Sequence, residues 1–421
     1  MNFDWSWLPW ILLAALAFFA AGWLVARVDL KQLLNESRAL PQSYFRGLNF
    51  LLNEQPDQAI EAFIEVTRSN PEAVELQFAL GSLFRRRGEV DRAIRVHQSL
   101  SERSDISVEQ RTNALLALAL DYQKSGLLDH AERILADLAA KSVGTPAQQQ
   151  QTLQLLLDIY VQENAWQKAI DAAQRLALGV GPGVTPGAAR VMRAHAKEIA
   201  NFHCELAAEA FARGDRSEAG QQLDAAAAAD DKGVRAHLMR GEWQAADGAH
   251  EAAIATWRKI ESQDPSYMGL VAQKLLQSYQ AVGRAGEGLA YLRELQHRHP
   301  AIDLLNVIFK ATLDSAGAQA AYELVKDDLR ANPTLVGLDR LLEAQVLAAP
   351  EERKADLVVL KDLVHTHSSR LAVYLCKQCG FKAKQFYWHC PACGGWETFP
   401  PRRTAEYDTA DRHLVRSQVE G

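Results

Sequence analysis

Small, aromatic and apolar positions recur along most of this chain at a spacing near 34 residues. Gly47, Phe50 and Ala59 return as Gly81, Phe84 and Ala93, each 34 residues later. A small residue, an aromatic three positions on and an Ala nine further describe two helices joined by a turn. The Gly permits close approach, the aromatic fills the gap between the helices, and the Ala sits where a larger side chain would clash. Gly88, Gly126, Gly214 and Gly248 each stand five residues before an Ala, and Gly283 stands five before Gly288. A left-handed Gly ends a helix without steric penalty. Phe50, Phe84, Tyr122, Tyr160 and Tyr279 precede the same small positions by nine. Phe63, Leu135, Leu223, Trp257 and Leu292 follow those positions by four, on the same helical face. Pro71, Pro265, Pro300 and Pro333 fall where one unit hands over to the next.

A helical hairpin repeating every 34 residues resembles the tetratricopeptide repeat. The period stretches to 38 between Ala93, Ala131 and Ala169. One Gly/Pro-rich break, residues 179–187, separates an array over 37–178 from a second over 188–368. The first should hold four units and the second four or five, with a bend or hinge expected between them. The resemblance implies a superhelix whose concave face grips peptides or protein surfaces. Which residues of that face would touch a partner is open.

A different pattern precedes the repeats. Leu8 to Ala26 is uncharged over 19 residues, about 28 Å as a helix and so close to the thickness of bilayer hydrocarbon. Trp5, Trp7 and Trp10 at one end and Trp23 near the other suit interfacial belts. The one early side-chain charge is Asp4, which does not suit the basic start of a signal peptide. The span is therefore expected to be a single transmembrane helix, with Leu8, Trp10, Ala17, Ala21 and Trp23 as anchor residues. Ala17 and Ala21 could also admit a second membrane helix. Arg27, Lys31, Arg38 and Arg46 all follow the span, which places the body on the cytoplasmic side after a short linker over 27–36.

Composition narrows the class. The chain has 421 residues, 48% hydrophobic and 23% charged, so it is folded, yet too long for one compact core. A net charge of −6 argues against a general nucleic-acid binder. No helix lines up paired carboxylates, a nucleophile with its base or a phosphate loop, so no catalytic residue is assigned. Arg85, Arg86 and Arg87 read as a solvated helix end, and Cys204 as a small buried group. His297 with His299, and His365 with His367, are spaced by two, off a common helical face, and read as polar surface.

The strongest chemical signal lies within 371–400. Cys376-x-x-Cys379-Gly380 and Cys390-x-x-Cys393-Gly394 are two knuckles separated by ten residues. The two-residue gap turns both sulfurs toward one ion, and the Gly permits the turn that aims amides at them. Four thiolates make a closed S₄ cage without an open catalytic position. Tyr374, Phe381, Tyr387, Trp388 and Trp396 are expected to cover it. His389 is not needed as a ligand. The pieces look like rubredoxin, in which the ion is iron, and zinc ribbons share the geometry, so ligand type leaves the metal open. The segment is too small to fold unaided, so the ion should supply folding energy of about 10 kcal/mol or more. A structural or docking role is favoured over a redox relay. The polar tail over 401–421 is expected to fray.

The order of modules therefore reads as all-α: one membrane helix, about eight to nine tetratricopeptide-like repeats and a small C-terminal rubredoxin-like or zinc-ribbon domain. At this length it resembles the lipopolysaccharide assembly protein B family of Gram-negative inner membranes. That resemblance implies a non-enzymatic adaptor, with residues 1–7 in the periplasm and the body in the cytoplasm. It implies action with the membrane-anchored AAA+ protease that degrades the deacetylase committing UDP-3-O-acyl-N-acetylglucosamine to lipid A. It further implies gathering of lipopolysaccharide enzymes, and restraint by a second inner-membrane protein. Iron in the Cys₄ site is favoured by the resemblance, with zinc open. Two other readings remain: a generic anchored scaffold for envelope biogenesis, and an electron-transfer protein.

Overall fold

The computed structural model describes residues 42–53, 55–69, 73–178, 188–371 and 373–401. The expected anchor over 8–26, the linkers over 27–36 and 179–187 and the tail beyond 401 lie outside the described residues. Among the described residues no helix is long and apolar enough to cross a membrane.

The chain divides into two compact units between Ile159 and Tyr160. The first begins with α1 (Gln42–Leu52), α2 (Pro56–Ser69), α3 (Val74–Arg87), α4 (Val90–Glu102), α5 (Val108–Lys124) and α6 (Leu128–Lys141), and α7 (Pro146–Gln162) crosses the boundary. The second holds α8 (Trp166–Leu178), α9 (Ala188–Ala212), α10 (Arg216–Ala229), α11 (Arg235–Ala246), α12 (His250–Gln263), α13 (Met268–Ala281) and α14 (Ala285–Arg298). It continues with α15 (Ile302–Ala331), α16 (Leu335–Ala348) and α17 (Glu351–Leu371), then two short strands, β1 (Tyr374–Leu375) and β2 (Lys382–Ala383).

Consecutive helices pair as hairpins, and the sequence logic of the turns holds. Gly88, Gly126, Gly214, Gly248 and Gly283 all have φ between 75° and 87°. After each, the next amide reaches a carbonyl five residues back, as Glu89 does to Phe84 and Arg284 to Tyr279 at 2.9 and 2.8 Å. This closes the helix end. Asn164, with φ 56°, performs the same turn before α8, and Ala165 donates to Tyr160 at 2.8 Å. Asn tolerates this conformation, so the fourth unit needs no Gly.

Packing explains the small positions. Ala59, Ala93, Ala131, Ala169 and Ala253 are fully buried. A Cβ on Gly47 would lie 2.6 Å from the Phe63 ring, and Cβ atoms on Gly81 and Gly241 would collide with His97 and Trp257. One hairpin lies between the expected handovers at Pro300 and Pro333 but lacks the Gly-to-Ala spacing of five at its turn. α15 is a pair of helical arms broken at Gly317, with φ 81° and ψ 175°. Leu305 and Phe309 of the first arm pack with Ala321 and Val325 of the second.

One expectation needs correction. Arg85 is not a simply solvated helix end. Its guanidinium meets Asp121 at 2.8 Å and the Ala117 carbonyl at 3.1 Å. Asp121 is completely buried and also meets buried His97 at 2.5 Å. His365 is exposed as expected, and its Nδ1 lies 2.9 Å from the buried Asp339 carboxylate.

Candidate metal centre

The two knuckles fold identically at the backbone. In the first, Cys376 N–H bonds Phe381 O and Gly380 N–H bonds Cys376 O, both at 2.9 Å. In the second, Cys390 N–H bonds Gly395 O and Gly394 N–H bonds Cys390 O, again at 2.9 Å. Gly380 and Gly394 have φ of 75° and 68°, a turn that a Cβ would strain. β1 and β2 flank the first knuckle as an antiparallel pair, and a His389–Trp396 bridge flanks the second. Lys377 N–H to Thr398 O at 2.9 Å ties the knuckles together.

All four sulfurs lie within 4.8 Å of one another. Cys376 and Cys393 are 3.8 Å apart, as are Cys379 and Cys390. Sulfurs about 2.3 Å from a common centre form a tetrahedron with edges of about 3.8 Å, whereas a disulfide would need about 2.05 Å. Electrostatics point the same way. Burial opposes ionisation of Cys376, but the Thr398 hydroxyl and the Cys379 and Gln378 amides outweigh it and bring the thiol down to about 6. At Cys393 the Gly395 amide favours the thiolate, yet burial and the neighbouring sulfurs override it and push the thiol up to about 12. Four thiolates this close repel one another unless a cation sits among them. The donor set fits one ion, and sulfur ligation alone suits zinc or iron. His389 takes no part; its Nε2 lies 3.0 Å from Gly394 O and its ring stacks on Trp396.

The cage is seated on the second unit's helices. Trp388 stacks on Tyr267, rings 5.4 Å apart and 2° from parallel. Trp396 stands edge-on to Trp166 and Phe202 at 6.1 and 5.7 Å. The Arg235 guanidinium lies over both Trp388 and Trp396 and is held by Glu205 at 2.6 Å and Asn201 at 3.1 Å. Asn201 also donates to Glu397 at 2.9 Å, and Tyr374 to Asp303 at 2.8 Å. Residues from α8, α9, α11 and α15 thus converge on one small module.

Comparison with known proteins agrees with this anatomy. Residues 374–401 match a family described as rubredoxin metal binding domain. Residues 46–100 and 204–267 match the tetratricopeptide repeat. Lipopolysaccharide assembly protein B of Escherichia coli K12 is 34% identical over 389 residues, 91% of this chain and 95% of that protein. This chain belongs to the lipopolysaccharide assembly protein B family. The Haemophilus influenzae member is 27% identical over 399 residues, 92% of this chain and 97% of that one. Among solved structures, yeast Tom70 aligns with a TM-score of 0.33 at 12% identity, over 79% of this chain and 85% of that one.

As a family member the chain combines tetratricopeptide-like hairpins with a C-terminal zinc-ribbon-like Cys₄ module. Cys376, Cys379, Cys390 and Cys393 converge in one cage. The cover differs from expectation. Tyr374 and Phe399 are buried with Cys376 and Cys390, and Phe386 and Tyr387 pack beside them. Trp388 and Trp396 instead face the helices, and Phe381 is 39% exposed. Phe386 and Phe399 were missed, although both are aromatic residues inside the module. Cys204 is buried as expected, and burial pushes its thiol up to about 12, which makes it inert.

Proposed function

We propose that this protein is a non-enzymatic inner-membrane adaptor that limits lipopolysaccharide synthesis by presenting the lipid A pathway deacetylase to a membrane-anchored AAA+ protease. Residues 8–26 would anchor it as a single pass, with the body facing the cytoplasm. The tether raises the array's effective concentration beside the protease. A second inner-membrane regulator would act on the same assembly, and lipopolysaccharide enzymes would gather there.

The observation that carries this reading is the seat of the metal module. The cage spends its aromatic faces on Tyr267, Trp166 and Phe202. A closed Cys₄ site used this way braces a protein-binding array and offers no open coordination position. The names of its relatives support the lipopolysaccharide context. Deacetylase half-life is the test. Deleting the gene or introducing Cys376→Ser should lengthen it several-fold, and unchanged turnover would favour a generic anchored scaffold.

One observation favours electron transfer as a second reading: Cys379 is exposed. Purified protein holding redox-silent zinc removes that reading, whereas reversible one-electron iron chemistry with a partner would sustain it.

A further inference from the structure

Thr398 stands beside the cage without being one of its ligands. Its Oγ lies 3.3 Å from Cys376 Sγ. Among the described residues, no other side chain outside the four cysteines has a hydrogen-bonding atom within reach of a cage sulfur. The two knuckles otherwise match at an offset of 14 residues, Cys376 with Cys390, Cys379 with Cys393 and Gly380 with Gly394. At that offset the counterpart of Thr398 is Lys384, which is exposed. The hydroxyl is therefore an addition to one knuckle and not part of the shared turn.

The chain around Thr398 is held from both sides. Its carbonyl accepts from Lys377 N–H at 2.9 Å. Glu397 N–H donates to Trp388 O at 2.7 Å, the Glu397 carboxylate accepts from Asn201 at 2.9 Å, and Phe399 is fully buried. A β-branched side chain has few rotamers. The Thr398 methyl packs against Gly395, where a Cβ would lie 2.6 Å from it. With the methyl so placed, the hydroxyl is left toward Cys376. Its single proton has a second acceptor in Gly395 O, also at 3.3 Å, but that carbonyl already accepts from Cys390 N–H at 2.9 Å. An ionised sulfur is the stronger acceptor.

We propose that the Thr398 hydroxyl donates to the Cys376 thiolate, and that this bond tightens the cage's hold on its ion and biases it toward a divalent one. Thr398 is thus a positioning residue, touching a ligand and not the ion. Partners that fix a ligand in this way typically contribute about 10–100-fold in metal affinity. The bias follows from charge. Four thiolates keep two net negative charges around a divalent ion and one around a trivalent ion. A donor aimed at a sulfur stabilises the more negative cage more. It therefore favours zinc or ferrous iron over ferric iron, a choice that sulfur ligation alone leaves open.

This inference does not rest on the adaptor reading, and neither does its test. The full chain is purified in detergent as the parent, Thr398→Val and Thr398→Ser. Val keeps the shape and removes the donor, whereas Ser keeps the donor and removes the methyl. Zinc affinity is read by competition with a chromogenic chelator. Thr398→Val should bind zinc about tenfold more weakly, and Thr398→Ser should stay within about threefold of the parent. The same chains are loaded with iron and titrated with dithionite, following the ferric thiolate charge-transfer band. At the parent's midpoint potential the ferric-to-ferrous ratio should rise about fivefold in Thr398→Val and return to the parent's in Thr398→Ser. Packing alone would weaken the site in both variants without moving that ratio, and such a result overturns the bond. Unchanged zinc affinity in Thr398→Val overturns the tighter hold, and an unchanged ratio overturns the bias. If Thr398→Val keeps no iron while Thr398→Ser keeps it, the donor is essential and the bond stands. If neither keeps it, the residue acts through the fold of the module and the bond falls. Deacetylase turnover enters none of these outcomes, so the adaptor reading stands or falls separately.

Discussion

Single residues set how closely these helices approach. Gly81 exists because α4 brings the His97 ring against α3, and any Cβ there would collide with it. Gly81→Ala should destabilise the first unit by about 1–3 kcal/mol in urea unfolding, the usual cost of overpacking. His97 is itself a departure from the pattern, since its counterparts are Phe63 and Trp257. It packs like them, fully buried, but its Nδ1 needs Asp121, and Asp121 needs Arg85. Asp121→Ala would strand a half-buried guanidinium and a buried imidazole, at a cost of about 3 kcal/mol or more. A mild loss below 1 kcal/mol would show that water replaces the carboxylate. Nothing in the sequence announced this cluster. A His at an apolar position is ambiguous, and its carboxylate lies 24 residues away in another helix.

At the scale of elements, the repeat was legible wherever the turn used Gly with an Ala five residues on. It was obscured where other chemistry does the same job. Asn164 adopts the left-handed turn with a side chain attached. Gly317 sits four residues before buried Ala321, one short of the usual spacing, so Pro300 and Pro333 marked the unit's ends but not the turn inside α15. Its φ of 81° and ψ of 175° belong to a region essentially confined to Gly, while the space around it is open. Gly317→Ala should therefore cost about 1–3 kcal/mol through backbone strain alone, seen as early amide exchange across α15 and α16. The join between α14 and α15 adds a pH dependence. Asp328 accepts from Gln296 at 2.9 Å, yet burial holds its carboxyl above the usual range. A folded-state pKa raised in this way favours folding when the group is protonated and loses that contribution as pH rises through it. Asp328→Asn should stabilise the protein at pH 7 by a few tenths of a kcal/mol, after allowing for solvent screening. The gain should vanish below the ordinary Asp value of 3.8. A stabilisation that persisted unchanged at pH 3 would assign the effect to packing instead.

For the whole molecule, the four ligands were legible because knuckle spacing is a local constraint, and the module's seat was not because it is a long-range one. Trp388 and Trp396 were expected over the sulfurs, yet each faces a helix more than a hundred residues away in sequence. Arg235 is what joins them. It lies over both rings while Glu205 and Asn201 hold its guanidinium. Desolvated cation–π contacts of this kind contribute roughly 1–2 kcal/mol each. The metal's folding energy is about 10 kcal/mol or more, so the cage should outlast the seat. Arg235→Ala should then separate the two. The variant should keep its full metal content by elemental analysis, while brief proteolysis releases the module by cutting after Leu371. Cys390→Ser should lose both metal and seat, with Tyr267, Trp166 and Phe202 newly accessible to quencher. Helices of the first unit, α1 to α6, should keep their exchange protection in both variants, because none of the seat's residues lies within them. If Arg235→Ala instead sheds the ion, the helices complete the cage as well as receive it, and metal binding in this family depends on the array.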